Sequence, residues 1–542
     1  MTSGALRQDH YAMPDVAGDK HPSVYLSLVL HAHLPFVRHP EYPEFLEERW
    51  LFEAVRECYL PLLRILGGRS REQNRARWTL SLSPTLMAML DDSLLRQRIE
   101  RYLDRVALMA SREITRTAGD PVWHPLARYY EVLAAGNLAT WKKLSGDLAG
   151  AFIEAEKKGA IELIATAATH AFLPMWRRHP GVVRQQVTMA VEVFTRRVGH
   201  PPAGLWLPEC GYYPGLETVL SDAGLGYFFV EAHGIRHAQP APRHDVFAPV
   251  FCPNGVAAFG RDPESSRQVW SAQGGYPGDV DYREYYRDVG SIWPVDALKK
   301  IFPVADLDAS TGFKYHRVTG GDGEKQPYHP GRAAEKARLH AADFFEKKMV
   351  QARQAGADMD RPPLVVAPYD AELFGHWWFE GPQFLEAMMV LADHTDEIAM
   401  VTPSDYLSMY PAGTEAVPSA STWGNKGYND VWLNDTTAWM YPHLFRAAER
   451  AAHLEHASSA ALSPAMKSRL LHQAGVELML AQSSDWPFMI KAGHHVAYAE
   501  KRVRDHLARF YWLADALTTG EVDETKLQAI AAVDNLFAAP SP

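Results

Sequence analysis

The sequence predicts an α/β protein: a mostly parallel sheet, open or closed into a barrel, followed by an all-helical C-terminal region. Three observations carry this. Short, apolar, β-rich runs recur as far as Val401 with helical patterns between them, the alternation that builds parallel sheets. Polar side chains gather just after those runs, where parallel barrels place their active sites. From about Ala438 to Val533 the apolar spacing becomes helical throughout.

The predicted strands are, in order, Val24–Leu30, Trp78–Leu82, Ile161–Ala165, Gly204–Leu207, Gly226–Val230, Leu364–Ala367 and Ile398–Val401. His31-Ala-His33 follows the first, Thr169-His170 the third, Pro208-Glu209 the fourth and Tyr369-Asp370 the sixth. The stretch from about 265 to 330, rich in Gly, Tyr, Asp and Arg and including the glycines near Gly320, has little periodicity and reads as binding loops. A Gly/Ser/Thr/Pro run ending at Thr422 marks a change of character. The chain therefore divides into a flexible segment 1–22, a catalytic unit 23–410 and a helical unit 411–542.

The 542 residues carry 55 Lys and Arg against 65 Asp and Glu, a formal charge of -10 that offers no footprint for nucleic acid. Cys58, Cys210 and Cys252 are too few and too scattered for a disulfide framework or a CxxC metal site. No apolar run approaches the roughly 18 residues of a membrane span, and the first 22 residues lack a signal-type apolar core. A cytoplasmic protein with no membrane partner is expected. Fifteen Trp, 23 Tyr and 24 His supply the flat faces and imidazoles that sugar rings stack on and bond to.

Three clusters carry chemistry. In His31-Ala-His33 strand alternation points both imidazoles to one side; sugar binding, metal ligation and a structural role are all open to them. Trp206-Leu-Pro-Glu209-Cys-Gly-Tyr212 sets one carboxylate among apolar groups, which tunes its pKa. Ala367-Pro-Tyr-Asp370-Ala-Glu372-Leu-Phe-Gly-His376-Trp377-Trp378 packs acids, imidazole and indoles together. Glycosyl chemistry needs one acid to protonate a leaving oxygen and one carboxylate at the anomeric centre, and Glu209 with Asp370 fits that pair. Glu372 reads as structural. The segment Glu231–Asp245, directly after a strand, reads as an ordered loop able to cover an intermediate and exclude water.

HAHLPFV, ELIATAATH, WLPECGY, APYDAELFGHWWFEGP and WGNKGYNDVWLND resemble the five motif regions of glycoside hydrolase family 57. Through YFFVEAHGI, VAAFGRD, QVWSAQGGYPGD and AQSSDWPF the resemblance is closest to that family's 1,4-α-glucan branching enzymes. It implies an incomplete (β/α)7 barrel with a small insertion and a C-terminal all-helical domain. It also implies Glu209 as nucleophile, Asp370 as general acid/base, and sugar-binding roles for His31, His33, His170, Arg261, Trp270, Gly278, Trp423, Trp432 and Asp485. Trp423 and Trp432 are expected to form a stacking wall for a glucan chain. The chain departs from the family pattern at Thr436-Thr437-Ala438-Trp439, so no role is carried to Asp435. The expected activity is retaining transfer of an α-1,4-glucan chain to a 6-hydroxyl, with α-glucan donor and acceptor as partners and no metal or organic cofactor. An α-amylase or 4-α-glucanotransferase on the same scaffold is the alternative. A metal-dependent hydrolase or deacetylase, or a non-catalytic glucan-binding protein, is the more distant rival.

Overall fold

The computed structural model describes residues 22–271, 274–303, 311–319 and 324–537. The glycines at 320 and 321 and the expected N-terminal segment, apart from its last residue, lie outside them. The strands are β1 Val24–Ala32, β2 Trp78–Leu82, β3 Ile161–Thr166, β4 Gly204–Trp206, β5 Tyr227–Val230, β6 Val250–Phe251, β7 Ala257–Gly260, β8 Leu364–Asp370 and β9 Ile398–Met400. Their order is β6-β7-β5-β4-β3-β2-β1-β8, with β9 paired to the start of β1. Every pairing is parallel except β6 with β7. Seven parallel strands thus curl from β7 round to β8 and stop short of closing, an incomplete (β/α)7 barrel. The gap is bridged just beyond β7, where the Asp262 N–H donates to the Val366 carbonyl at 2.8 Å.

Sequence alternation decides what faces where. Val24, Leu26, Leu28, Leu30 and Ala32 pack in the large core beneath the surrounding helices, whereas Tyr25 and Val29 belong to a second core with Ile164, Trp206, Phe229, Phe259 and Val366. The odd-numbered residues of β1 therefore fill the barrel interior, and His31 is the last of that series. Its stripe ends at the C-terminal mouth of the barrel.

Helices Pro84–Asp91, Ser93–Arg116, His124–Lys143 and Leu148–Lys157 lie between β2 and β3, and the helix Pro330–Gly356 precedes β8. The C-terminal region is helical as its periodicity predicts, with Met440–Ala451, Pro464–Ala481, Asp485–Ala492, Val496–Thr519 and Glu524–Val533 as its main helices. Among the described residues no helix is long and apolar enough to cross a membrane.

Candidate active site

The register of the sheet assembles the site. His31 is paired with Ser81 of β2 on one side and with Asp370 of β8 on the other. Paired residues of a parallel ladder point to the same face, so three polar side chains rise side by side out of the barrel interior. Glu209 joins them from the turn after β4, with φ 62° and ψ 23°. Cys210 and His170 are left-handed too, at φ 50° and 57°. Non-glycine residues held there cost about 1–3 kcal/mol each and collect at functional sites.

Both carboxylate oxygens of Glu209 are held. Trp423 donates its indole N–H to Oε2 at 2.7 Å, and the Ser484 hydroxyl donates to Oε1 at 3.0 Å. An ionised carboxylate only accepts, so the Ser484 oxygen must take its own hydrogen bond from His170 Nδ1, 2.8 Å away. His170 Nε2 then accepts from His31 Nε2 at 2.9 Å, and His31 Nδ1 accepts from the Ser81 hydroxyl at 3.2 Å. Every donor in this chain from β2 points towards Glu209. The polarity fixes the tautomer of both imidazoles, and burial holds both well below the ordinary histidine range, so both are neutral. His31 and His170 are 2% and 3% exposed; the resemblance gives them sugar hydroxyls to bind, and the structure buries them behind the Glu209 carboxylate.

Asp370 is placed oppositely. Among the described residues none donates a hydrogen bond to its carboxyl. Burial, followed by the charges of Glu372 and Glu209, holds it well above the usual carboxylate range. Burial also leaves Glu209 above its ordinary value, although the hydrogen bonds from Trp423 and Ser484 offset part of that rise. The two acids differ in their donors: Glu209 receives two hydrogen bonds that favour its ionised form, whereas Asp370 receives none among the described residues and is held towards its protonated form. Glu372 is pushed up to about 7 by burial, against the hydroxyl of Tyr59, which donates to it. Tyr59 lies on a π-helical turn, Val55–Tyr59, of which Glu57 and Cys58 also hold the Asp370 loop. Cys58 donates its thiol to the Ala371 carbonyl at 3.0 Å, and Glu57 takes His376 Nδ1 at 2.6 Å. Single π-turns of this sort recur at functional sites.

The remaining expected residues divide. His33 Nε2 meets Asp485 Oδ2 at 3.1 Å, and its ring stacks on His170 with centroids 3.8 Å apart. Burial alone would raise Asp485, but the facing His33 holds it down to about 2. Arg261 pairs with Glu231 at 2.9 Å and lies 5.4 Å over the Trp423 ring; Asp262 instead takes Lys348 and caps a helix. Trp432 is 1% exposed and stacked on Phe172 at 4.1 Å. Its indole is buried, so the expected wall reduces to Trp423; a Cβ on Gly424, the residue after Trp423, would collide with the Trp432 ring. Trp270 and Gly278 share none of these hydrogen bonds or ring contacts; the first is exposed at a helix end, the second lies in an exposed turn.

The loop after β5 is more fixed than its composition suggests. Ala232–Arg236 is helical, Ile235 is buried, Arg236 pairs with Asp245 at 2.7 Å and Gln239 bridges to Val417. Ser81, Tyr59 and Ser484 are site residues the sequence reading missed. Ser484 carried a signal, since it directly precedes Asp485; Tyr59 carried none.

His33, His170 and Asp485 bring ligand-type atoms within 4.8 Å of one another. Yet both nitrogens of His170 are engaged by Ser484 and His31, and His33 is bonded to Asp485 with Thr85 Oγ1 at 3.5 Å from its other nitrogen. The lone pairs a cation needs are already directed elsewhere, so the donor set fits a hydrogen-bond network better than a metal.

The described features agree with the comparisons to known proteins. Residues 27–418 match the profile described as glycosyl hydrolase family 57, and residues 443–540 match one described as 1,4-alpha-glucan branching enzyme, C-terminal. A 1,4-alpha-glucan branching enzyme of Thermococcus kodakarensis is 31% identical over 95% of this chain and 77% of its own length. The crystal structure of an alpha-amylase from Thermotoga maritima is 38% identical, covers 96% of this chain and 97% of its own, and superposes with a TM-score of 0.87. That of a branching enzyme from Pyrococcus horikoshii is 32% identical, covers 95% of each chain and reaches 0.84. Matched to the glycosyl hydrolase profile from β1 through β9, over residues 27–418, the chain belongs to glycosyl hydrolase family 57.

Proposed function

We propose that this chain is a retaining 1,4-α-glucan branching enzyme. Glu209 attacks the anomeric carbon of an α-1,4-glucan while Asp370 gives its proton to the departing 4-oxygen. The leaving chain departs with that proton, and the glucosyl chain stays on Glu209 as an ester. Asp370, now a carboxylate, takes the proton of an acceptor 6-hydroxyl as that oxygen displaces Glu209. Two inversions leave the α configuration intact.

The Ser81–His31–His170–Ser484 chain orients Glu209 and stabilises its negative charge. His33, Asp485, Arg261 and Trp423 line the glucan's path in this reading, with Trp270 and Gly278 further along it. Residues 23–410 form the catalytic unit, and 411–542 form a helical unit that completes the groove. The observation that carries the branching reading is that the region matching the branching-enzyme C-terminal profile supplies Ser484 to the nucleophile. Hydrolysis on the same scaffold is the second reading, favoured by the 38% identity to the Thermotoga protein described as an alpha-amylase. Incubation with amylose, followed by enzymatic debranching and chain-length analysis, separates them. Branching yields α-1,6 points well in excess of new reducing ends; an amylase yields reducing ends alone.

A further inference from the structure

The loop that leaves Asp370 carries an exposed, rigidly backed aromatic surface that the mechanism above does not use. Trp377 is 56% exposed and Tyr286 86% exposed. The Trp377 indole lies nearly parallel to Tyr285, 4.7 Å between centroids and 22° between planes. Tyr285 is itself fixed: its hydroxyl meets His376 Nε2 at 3.3 Å, and Lys314 Nζ lies 4.0 Å from its ring centroid. His376 is anchored in turn by Glu57. Tyr286 stands edge-on to Tyr285 at 5.3 Å.

An exposed indole normally loses rotamer freedom when it binds something. Here that freedom is already gone, because the tyrosine behind it fixes the plane. Large exposed apolar groups held this way mark interaction sites, and a flat, preorganised aromatic face is what a glucopyranose ring stacks on. The loop also sets where the surface lies. The Glu372 carbonyl accepts the backbone N–H of both His376 and Trp377, at 3.3 Å each. Trp377 is thus tied to Glu372, two residues after the proposed acid Asp370.

The acid protonates the leaving oxygen in the first step and deprotonates the entering one in the second, so the side of the substrate that Asp370 faces is where chains leave and arrive. We propose that Trp377, backed by Tyr285 and extended by Tyr286, is the platform on which the acceptor α-glucan chain docks. The inference rests on the glucan-transfer reading and adds the residues that choose a sugar hydroxyl over water.

The test uses the full chain, with Trp377→Ala, Trp377→Phe and Tyr286→Ala compared with wild type on amylose. Reducing ends are counted before debranching, which reports hydrolysis, and after it, which adds the branches. Trp377→Ala should raise the KM for amylose and lower the ratio of branch points to hydrolytic ends, each roughly two- to tenfold. Trp377→Phe should restore most of both, and Tyr286→Ala should show a smaller fall. Thermal midpoints should stay at the wild-type value because both side chains are exposed. An unchanged ratio and KM in both alanine variants would overturn the platform. If wild type makes no branches at all, the branching reading falls instead, and KM alone then decides whether the platform binds glucan.

Discussion

Trp423 reaches the Glu209 carboxylate through its indole N–H, and Trp423→Phe keeps an aromatic ring at that place while removing the donor. A hydrogen bond to a charged group contributes about 1.5–3 kcal/mol, and kcat/KM on amylose should fall about ten- to a hundredfold with little change in thermal midpoint. Glu209→Gln and Asp370→Asn should each abolish turnover of amylose while circular dichroism stays native, because an amide neither attacks nor donates the required proton. Asp370 is raised by burial and then by the neighbouring Glu372 charge. Removing that charge in Glu372→Gln lets Asp370 lose its proton at lower pH, so the alkaline limb of kcat/KM should move down the pH scale while the acidic limb stays. A profile that superposes on wild type would remove Glu372 from the acid's environment. At this scale the sequence was legible where a side chain sits at a strand end: Glu209, Asp370 and His33 gather at one mouth, and Asp485, at a helix start and legible only through the family resemblance, meets His33 there. It misled where burial decides. Nothing in the residue types of His31 and His170 says that they lie behind the carboxylate rather than in front of it, since the hydrogen bonds that place them come from Ser81 and Ser484, 50 and 314 positions away.

Among the elements, the predicted strands lie where expected, since each is an apolar run bounded by polar turns. β8 runs on to Asp370 because Tyr369 and Asp370 still pair with Leu30 and His31, which apolarity alone does not reveal. β6 and β7 went unrecognised; Val250–Phe251 is only a two-residue pairing, and Ala257–Gly260 is small-residue-rich and weakly β-like. The π-turn Val55–Tyr59 was also illegible, because its irregularity follows from the loop it buttresses. The segment of Trp423 and Trp432 shows how one motif divides between roles. Trp432→Ala should act through the core, costing about 3–5 kcal/mol as buried Trp truncations do. Its thermal midpoint should drop, while the KM for amylose, measured where the variant is still folded, stays near wild type. A raised KM with an unchanged midpoint would return Trp432 to the glucan's path.

The whole molecule places Glu209 where the barrel and the helical region touch. Ser484 lies in the turn between the helices Pro464–Ala481 and Asp485–Ala492, where its backbone N–H donates to the His170 carbonyl at 2.9 Å, and the first of those helices carries a buried polar network one turn earlier. His506 Nδ1 meets Glu477 Oε2 at 2.7 Å, Asp534 takes Arg509, and Gln473 donates to the Asp534 carbonyl at 3.1 Å. Breaking such a network at one partner typically costs about 3–5 kcal/mol, so Asp534→Ala should lower the thermal midpoint and reduce activity together, although it lies outside the site. The central claim is that Glu209 carries the glucan chain between two displacements. Asp370→Asn incubated with α-maltotriosyl fluoride tests this most directly, because fluoride departs without an acid and the second step lacks its base. Proteolysis and mass spectrometry of the quenched enzyme should find a maltotriosyl group on the peptide containing Glu209, and none when Glu209→Gln is added. Fluoride release with no adduct at Glu209, or with the adduct on another residue, would contradict the account.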